Sequence, residues 1–251
     1  MTRPTLIPTT QRPVDEALRT GRGSALISAR SLVFSFDSTP ALRGISLDIT
    51  DGEILAVSGP SGSGKSTLLL CLAGILRPDA GEIRYGHKRI DKLSESERAV
   101  LRRSEFGVLF QFGQLVPELT AEENVALPLL LDGVRRRPAL ATARTWLERF
   151  GVSDLVAKRP GAVSGGQQQR IAVARAMVTE PRVLFADEPT GALDSLAGEA
   201  VLAQLTRVAR DAGTTVVMVT HDATVAAYGD REIVIRDGML DPTATDRTSR
   251  P

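Results

Sequence analysis

Nine consecutive residues carry the strongest chemical signal in the sequence, and they fit the pattern G-x-x-x-x-G-K-[ST]. Glycines let the backbone curl so that successive N–H groups point inward at phosphate oxygens, while Lys65 reaches the β- and γ-phosphates and Ser66 binds Mg²⁺. A flexible Gly/Ser linker is the plain alternative, but an apolar run before the loop and a leucine-rich helix after it favour a phosphate site. The predicted cradle consists of Gly59, Pro60, Ser61, Gly62, Ser63, Gly64, Lys65, Ser66 and Thr67.

Two adjacent carboxylates, Asp187 and Glu188, follow an apolar run that reads as a buried strand. Because side chains alternate along a strand, the two should point to opposite sides, so that one can hold Mg²⁺ while the other orients water. This division suits phosphoryl transfer, in which the protein mostly positions the nucleophile and neutralises charge. An acidic surface turn with Pro189 and Gly191 is the plain alternative, and the glycine loop favours the metal and water roles over it.

A second phosphate-type feature is the helix start Ser164-Gly165-Gly166-Gln167. A serine and two glycines at this position expose backbone N–H groups that can donate hydrogen bonds to a phosphate. By itself the pattern would be an ordinary N-cap. In a chain that also has a glycine loop, it indicates another contact with a nucleotide.

An α/β core must position these residues. Apolar runs rich in Val, Ile and Leu alternate with helical patterns, which predicts parallel strands covered on both faces. Ligand sites in such sheets collect at the carboxyl ends of the strands, so Gly59, Asp187 and His221 should share one edge. The three runs are Ile54–Val57, 182–186 and Thr215–Thr220.

Two additions to this core are predicted. Leu26–Phe36 and Ile45–Ile49 alternate apolar and polar residues, which indicates an antiparallel pair of strands. The range of about 86–160 is mostly helical in pattern and is predicted to be an insertion, with Arg135-Arg136-Arg137 as a solvated loop. This organisation gives one domain over residues 25–240.

The ends of the chain lack apolar periodicity. Residues 1–24 contain three prolines among scattered Arg and Thr and are predicted to be a disordered extension. Residues 241–251 are predicted to be a flexible tail.

Composition narrows the compartment and the partners. A net charge of +1 over 251 residues argues against a nucleic-acid partner, since neutralising phosphates takes an excess of clustered Lys and Arg. The single cysteine, Cys71, lies in an apolar helix and is predicted to be a buried thiol. The sequence contains no apolar run of about 18 residues and no signal-peptide pattern, so we expect a chain that neither crosses a membrane nor is exported.

In this order the features resemble the ATP-binding cassette (ABC) family, from Leu26 to about Leu240. The resemblance implies a P-loop NTPase fold of class α/β: a RecA-like parallel sheet core with an antiparallel β subdomain and an inserted helical subdomain. It implies ATP and Mg²⁺ at the site, a second copy of the chain paired head to tail, and an integral membrane permease as partner. The expected location is the cytoplasmic face of the plasma membrane.

The resemblance also assigns roles to matching positions. Phe36 falls where the family has an aromatic residue that stacks on adenine, and Asp194 falls in the segment 192–194 at the dimer seam. Gln111 resembles the glutamine that contacts Mg²⁺ and water and senses the membrane partner. The implied catalytic residues are Lys65, Gln111, Glu188 and His221, and the implied metal ligands are Ser66, Gln111 and Asp187. A lone histidine such as His221 is more often structural in a turn.

Two departures from the family pattern concern packing and partner choice. Val163 replaces the usual leucine before Ser164, and residues 111–115 form an unusual partner-sensing stretch. The residues 186–195 and the short tail resemble the lipoprotein-release, macrolide-export and cell-division branch, which implies an export or lipid-extraction role.

Three alternatives remain. A mechanotransmission complex, such as a cell-division system, would use the ATPase without moving a substrate. A DNA-repair ATPase of this family would need a long coiled coil, and a translation ATPase would need a second cassette. A small-molecule kinase would not need the helix start at Ser164.

Overall fold

Two β-sheets and the helices packed on them form the chain in a computed structural model, which describes residues 25–111, 114–191, 193 and 195–242. The strands are β1 Ala25–Phe36, β2 Thr39–Thr50, β3 Ile54–Ser58, β4 Ala80–Tyr85, β5 Lys88–Arg89, β6 Phe106–Leu109, β7 Val183–Asp187, β8 Thr215–Val219, β9 Arg231–Arg236 and β10 Met239–Leu240. The helices are α1 Lys65–Leu72, α2 Glu95–Ser104, α3 Ala121–Leu131, α4 Arg136–Arg149, α5 Gly165–Met177, α6 Ser195–Ala212 and α7 Ala223–Ala226. The predicted extension over 1–24, and residues 243–251 of the predicted tail, lie outside the described residues.

The predicted antiparallel pair is present as β1 and β2, inside a sheet of order β2-β1-β4-β5. Residues Ile27, Ala29 and Leu47 of this pair are buried, as the alternating pattern requires. The second strand begins at Thr39, earlier than the expected Ile45, because Phe36 pairs with Thr39 directly across the turn.

The larger sheet has the order β10-β9-β3-β8-β7-β6, and β6, β7, β8, β3 and β9 run parallel. Val219 pairs with Val57 on one side and with Asp187 on the other. The residues that follow β3, β7 and β8 therefore come together at one edge, as the sequence predicts for this class of sheet.

Both faces of this sheet are covered, which explains the continuous apolar runs. Along β3, Ile54 and Ala56 belong to a core with α3 to α6, whereas Leu55 and Val57 belong to a core with α1 and the antiparallel sheet. Cys71 of α1 lies in the second core, and burial raises the pKa of its thiol to about 12, so the prediction of a buried thiol is confirmed.

The range 86–160 contains α2, α3 and α4, but it also contains β6, which pairs with β7 in the larger sheet. Part of this range therefore belongs to the core, and the division of the chain into domains stays a prediction. The prediction of a loop at 135–137 is wrong, because Arg136 and Arg137 form the first turn of α4. Pro138 suits that turn, and the Arg136 guanidinium donates to Glu123 Oε1 of α3 at 2.9 Å.

Candidate active site

The glycine loop joins the end of β3 to the start of α1. Gly59 has a φ of +137°, and a Cβ there would collide with the carbonyl oxygen of Ile235 in β9. Gly64 has a φ of +104°, and a Cβ there would collide with the carbonyl oxygen of Ala41 in β2. Both backbone conformations favour glycine, and neither position has room for a side chain. The close packing of the loop against β9 at one end and against β2 at the other therefore fixes its shape.

Lys65 is held inside this loop, with only 6% of its surface exposed. Its Nζ donates to the carbonyl oxygens of Gly59 and Pro60, each at 2.8 Å. Burial lowers the pKa of the ammonium group, while the carboxylates of Glu188 and Asp187 oppose that lowering. The loop therefore carries a desolvated cation that faces two carboxylates.

Unused donors lie next to this cation. The N-cap of α1 is Gly64, which offers no side-chain cap to the first N–H groups of the helix. Within the described part of the chain, the buried hydroxyl of Ser63 has no hydrogen-bond partner. A cation, uncapped N–H groups and an unpartnered hydroxyl together suit a phosphate group.

Ser66 and Asp187 meet at the carboxyl edge, as the sequence predicts. The Ser66 hydroxyl donates to Asp187 Oδ1 at 2.9 Å. Burial raises the pKa of the Asp187 carboxyl, an effect that the Glu188 charge reinforces and that the Ser66 hydrogen bond and Lys65 oppose. A hydroxyl beside a partly desolvated carboxylate is the oxygen-ligand chemistry that Mg²⁺ takes in nucleotide sites.

Glu188 and His221 form the second pair at this edge. The distance from His221 Nδ1 to Glu188 Oε1 is 2.7 Å, and Thr220 Oγ1 lies 3.5 Å from Glu188 Oε2. The Glu188 side chain is 14% exposed, whereas that of His221 is 62% exposed. The structure thus brings His221 to the predicted water-orienting carboxylate, where its ring can also face an incoming ligand.

Gln111 lies beside the turn that follows Glu188. A Cβ built on Gly191 would be 3.4 Å from Gln111 Nε2. Gln111 is exposed, so its amide is accessible at the same edge. Its two neighbours in the predicted partner-sensing stretch, Phe112 and Gly113, lie outside the described residues. The roles of Gln111 in metal binding and partner sensing remain predictions.

The helix start at Ser164 forms as predicted. The Ser164 hydroxyl accepts from Gln167 N at 3.3 Å, and Gln167 Oε1 accepts from Ser164 N at 2.9 Å, so the two residues cap α5 reciprocally. Gly166 lies against Leu193 and Ala197. The described contacts of this helix start are with the segment after Glu188, and none of them involves the glycine loop.

The remaining predicted site residues lie at the edges of this arrangement. Phe36 ends β1, is 52% exposed and packs edge-on against Phe34 with ring centroids 4.9 Å apart. Its free face can therefore receive a planar ring. Ala192 and Asp194, the predicted dimer-seam residues, lie outside the described residues.

Sequence reasoning missed Gln169. This residue of α5 is 2% exposed, and its Nε2 donates to the carbonyl oxygen of Pro189 at 2.6 Å. The available signal was position, because Gln169 precedes the buried Ala172 and Val173 by three and four residues and so lies on the apolar face of the helix.

A glycine loop, a hydroxyl–carboxylate pair and a carboxylate–histidine pair at the carboxyl edge of a parallel sheet define a P-loop nucleoside triphosphatase. Comparison with known proteins identifies the family within this class. Residues 42–191 match the ABC transporter family, and the chain belongs to that family. The predicted fold class and ATPase activity are thereby confirmed, with ATP as the substrate.

Individual relatives agree with this assignment. The chain is 44% identical over 202 residues to "Lipoprotein-releasing system ATP-binding protein LolD 2" of Caulobacter vibrioides, covering 80% of this chain and 89% of that protein. It is 47% identical over 210 residues to "Macrolide export ATP-binding/permease protein MacB 1/2" of Paracoccus denitrificans, covering 84% of this chain and 31% of that protein. Both names fall in the branch that the sequence resembles.

A solved structure supports the fold directly. The dimeric cassette MJ0796, in a post-hydrolysis state with ADP and Pi, superimposes with a TM-score of 0.83 at 34% identity, covering 90% of this chain and 99% of that one. Among the helices that the structure describes here, none has the length and apolar character needed to span a bilayer. The roles of the individual site residues remain predictions.

Proposed function

We propose that this protein is the ATP-hydrolysing subunit of an export or lipoprotein-extraction system, and that a dimer of it acts on an integral membrane permease at the cytoplasmic face of the plasma membrane. Relatives named for lipoprotein release and macrolide export support the branch. The observation that carries the catalytic part is the 2.9 Å hydrogen bond between Ser66 and Asp187, next to the buried Lys65.

The glycine loop binds the triphosphate of ATP. The Lys65 ammonium exchanges its bonds to the Gly59 and Pro60 carbonyls for bonds to β- and γ-phosphate oxygens. The first N–H groups of α1, at the positive end of the helix dipole, bind the same phosphates. Ser66 and Asp187 would hold Mg²⁺, which supplies neutralisation of phosphate charge. Phe36 stacks on the adenine ring through its exposed face.

Glu188 orients the attacking water at the γ-phosphate. His221, 2.7 Å from Glu188 Oε1, fixes the direction of that carboxylate and reaches the γ-phosphate with its other ring nitrogen. Because the carboxylate is only 14% exposed, few water molecules compete for it. Positioning and charge, without a covalent intermediate, are sufficient for this reaction.

Two copies complete each site. In one chain, Gly166 lies against Leu193 and Ala197, and the exposed helix start at Ser164 has no described contact with the glycine loop. A head-to-tail dimer supplies this helix start to the ATP on the opposite copy. The solved relative MJ0796 is a dimer of cassettes, which supports this pairing.

The permease docks where the core meets the helices that follow β6. A cavity of about 270 Å³ opens there, and Arg175 at its wall donates to the carbonyl oxygen of Gln114 at 3.0 Å. Gln114, which belongs to the stretch 111–115 predicted to sense the partner, thus lies next to this cavity. Its lining includes Ile75, Arg102, Phe106, Val108, Phe110 and Pro128.

The catalytic proposal is tested with Lys65→Ala. We expect Mg²⁺-dependent phosphate release to fall by about 10² or more, because electrostatic stabilisation of the transferring phosphate is lost. Lys88→Ala, which removes an exposed lysine of β5, is the charge-matched control and should keep wild-type turnover. Wild-type turnover in Lys65→Ala would show that the loop is not the phosphate site.

The transport proposal is tested by photo-cross-linking in native membranes. A cross-linker at Leu115 should capture an integral membrane protein, and the same group at Lys88 should not. Depletion of the chain should then stop release of that system's lipoprotein or efflux substrate. Capture of a membrane protein whose loss leaves all such release intact would point to mechanotransmission instead.

A further inference from the structure

The turn that follows Glu188 is strained. Glu188 has a φ of +47°, a left-handed conformation that non-glycine residues seldom adopt. It also precedes Pro189, and a residue before proline is driven towards extended conformations. A backbone of this kind is energetically unfavourable and persists only where its surroundings hold it.

Three hydrogen bonds hold this turn in place. Glu188 N donates to the Val219 carbonyl of β8 at 3.0 Å, and Gly191 N donates back to the Glu188 carbonyl at 3.1 Å. The third comes from outside the core sheet, because Gln169 Nε2 of α5 donates to the Pro189 carbonyl at 2.6 Å. Gln169 and Pro189 are both buried, so water cannot replace this bond at low cost.

We propose that Gln169 is a positioning residue for hydrolysis, which keeps the Glu188 carboxylate in its water-orienting place by fastening the next peptide to α5. Without the bond, the Pro189 carbonyl loses its buried donor and the strained turn relaxes towards an extended Glu188. The Glu188 carboxylate then moves away from His221 Nδ1, which lies 2.7 Å from Glu188 Oε1 in the wild-type structure. The proposal rests on the ATPase role given above.

The experiment compares Gln169→Met, which keeps the length of the side chain and removes the donor, with Gln169→Glu, which keeps the shape and places an acceptor against the carbonyl. We expect kcat to fall by about tenfold to a hundredfold in both, the range that a displacement of about 1 Å produces. The KM for ATP should stay within about twofold of wild type, because the glycine loop and Phe36 are untouched.

Thr206→Val is the matched control. Thr206 is also buried, at 6% exposure, and the bonds described for its hydroxyl are to the Leu202 and Ala203 carbonyls within α6. This variant loses a buried hydrogen-bond donor away from the site, so its kcat should match wild type. Where Gln169→Met does not fold, Gln169→Glu carries the comparison.

A double-mutant cycle with Glu188→Gln separates positioning from general damage. If Gln169 acts through Glu188, Gln169→Met should change the residual rate of Glu188→Gln by less than about twofold, since coupled residues are not additive. An equal fold-loss in both backgrounds would overturn the proposal, as would a wild-type kcat in Gln169→Met. A wild-type protein that hydrolyses no ATP would instead refute the proposed function.

Discussion

Gly64→Ala should separate the packing of the glycine loop from its chemistry. Gly64 is the last residue before α1, and its φ of +104° places a new Cβ well inside van der Waals distance of the Ala41 carbonyl oxygen in β2. The same Cβ would also lie 3.3 Å from Leu42 Cδ2. Because the obstacle is backbone of a paired strand, it cannot rotate away, and either β2 or the loop must shift.

Gly62→Ala provides the reference for the magnitude. Gly62 has a φ of +77°, but nothing lies within 4 Å of a Cβ built there. Both variants meet the cost of a left-handed alanine, and only Gly64→Ala adds the clash, which costs about 1–3 kcal/mol on the scale of overpacked cores. In a chain of this size about 1 kcal/mol corresponds to about 2–4 °C, so Gly64→Ala should melt about 2–12 °C below Gly62→Ala.

Thermal unfolding by circular dichroism, without nucleotide, measures this difference. ATP binding measured below both melting points then reports whether the shifted loop still binds phosphate, and we expect the weaker binding in Gly64→Ala. Equal melting temperatures for the two variants would mean that the loop is not packed against β2, and the structural reason for glycine at position 64 would be wrong.

Three further predictions concern the chemistry. Phe36→Ala should raise the KM for ATP by about three- to tenfold with little change in kcat, and Phe36→Tyr should keep the wild-type KM, since an aromatic stack is worth about 0.5–1.5 kcal/mol; steady-state kinetics decide. Glu188→Gln should lose about 10² to 10⁴ of turnover yet bind ATP, and should sediment as a dimer at saturating Mg-ATP; a strictly monomeric species would contradict the shared site. Burial raises the pKa of the Asp187 carboxyl in the folded state. The free energy of unfolding therefore falls as the pH rises from the ordinary aspartate pKa through this raised pKa. Asp187→Asn without nucleotide should therefore melt above wild type at pH 8, with a gap that closes below the ordinary aspartate pKa, and should lose the stabilisation that Mg-ATP gives wild type; a gap that is constant with pH would refute this origin.

The sequence predicts the parallel core and its functional edge because both follow from local pattern. Continuous apolar runs end just before Gly59, Asp187 and His221, and parallel strands must place those ends together. Helix starts are equally local, and the serine at Ser164 caps α5 as its type predicts.

Features that depend on contacts distant in sequence could not be predicted. The bond from Gln169 to Pro189 spans two elements and depends on how α5 packs against the acidic turn. An ion pair from Arg136 to Glu123 of another helix accompanies the helical start of α4, and a run of three arginines gives no sign of that pairing. Both contacts join elements that are distant in sequence, and the local pattern therefore does not reveal them.

The position of Gln169 on α5 has a consequence for communication between the two ATP sites of the proposed dimer. Gln169 lies five positions after Ser164, which is about 7.5 Å of rise along an α-helix. Ser164 contacts the partner's ATP in that dimer, while Gln169 fastens the turn of the chain's own Glu188. In the proposed dimer, one helix would thus join the phosphate contact of one site to the water-orienting carboxylate of the other, and occupancy of one site would bias hydrolysis at the other through α5.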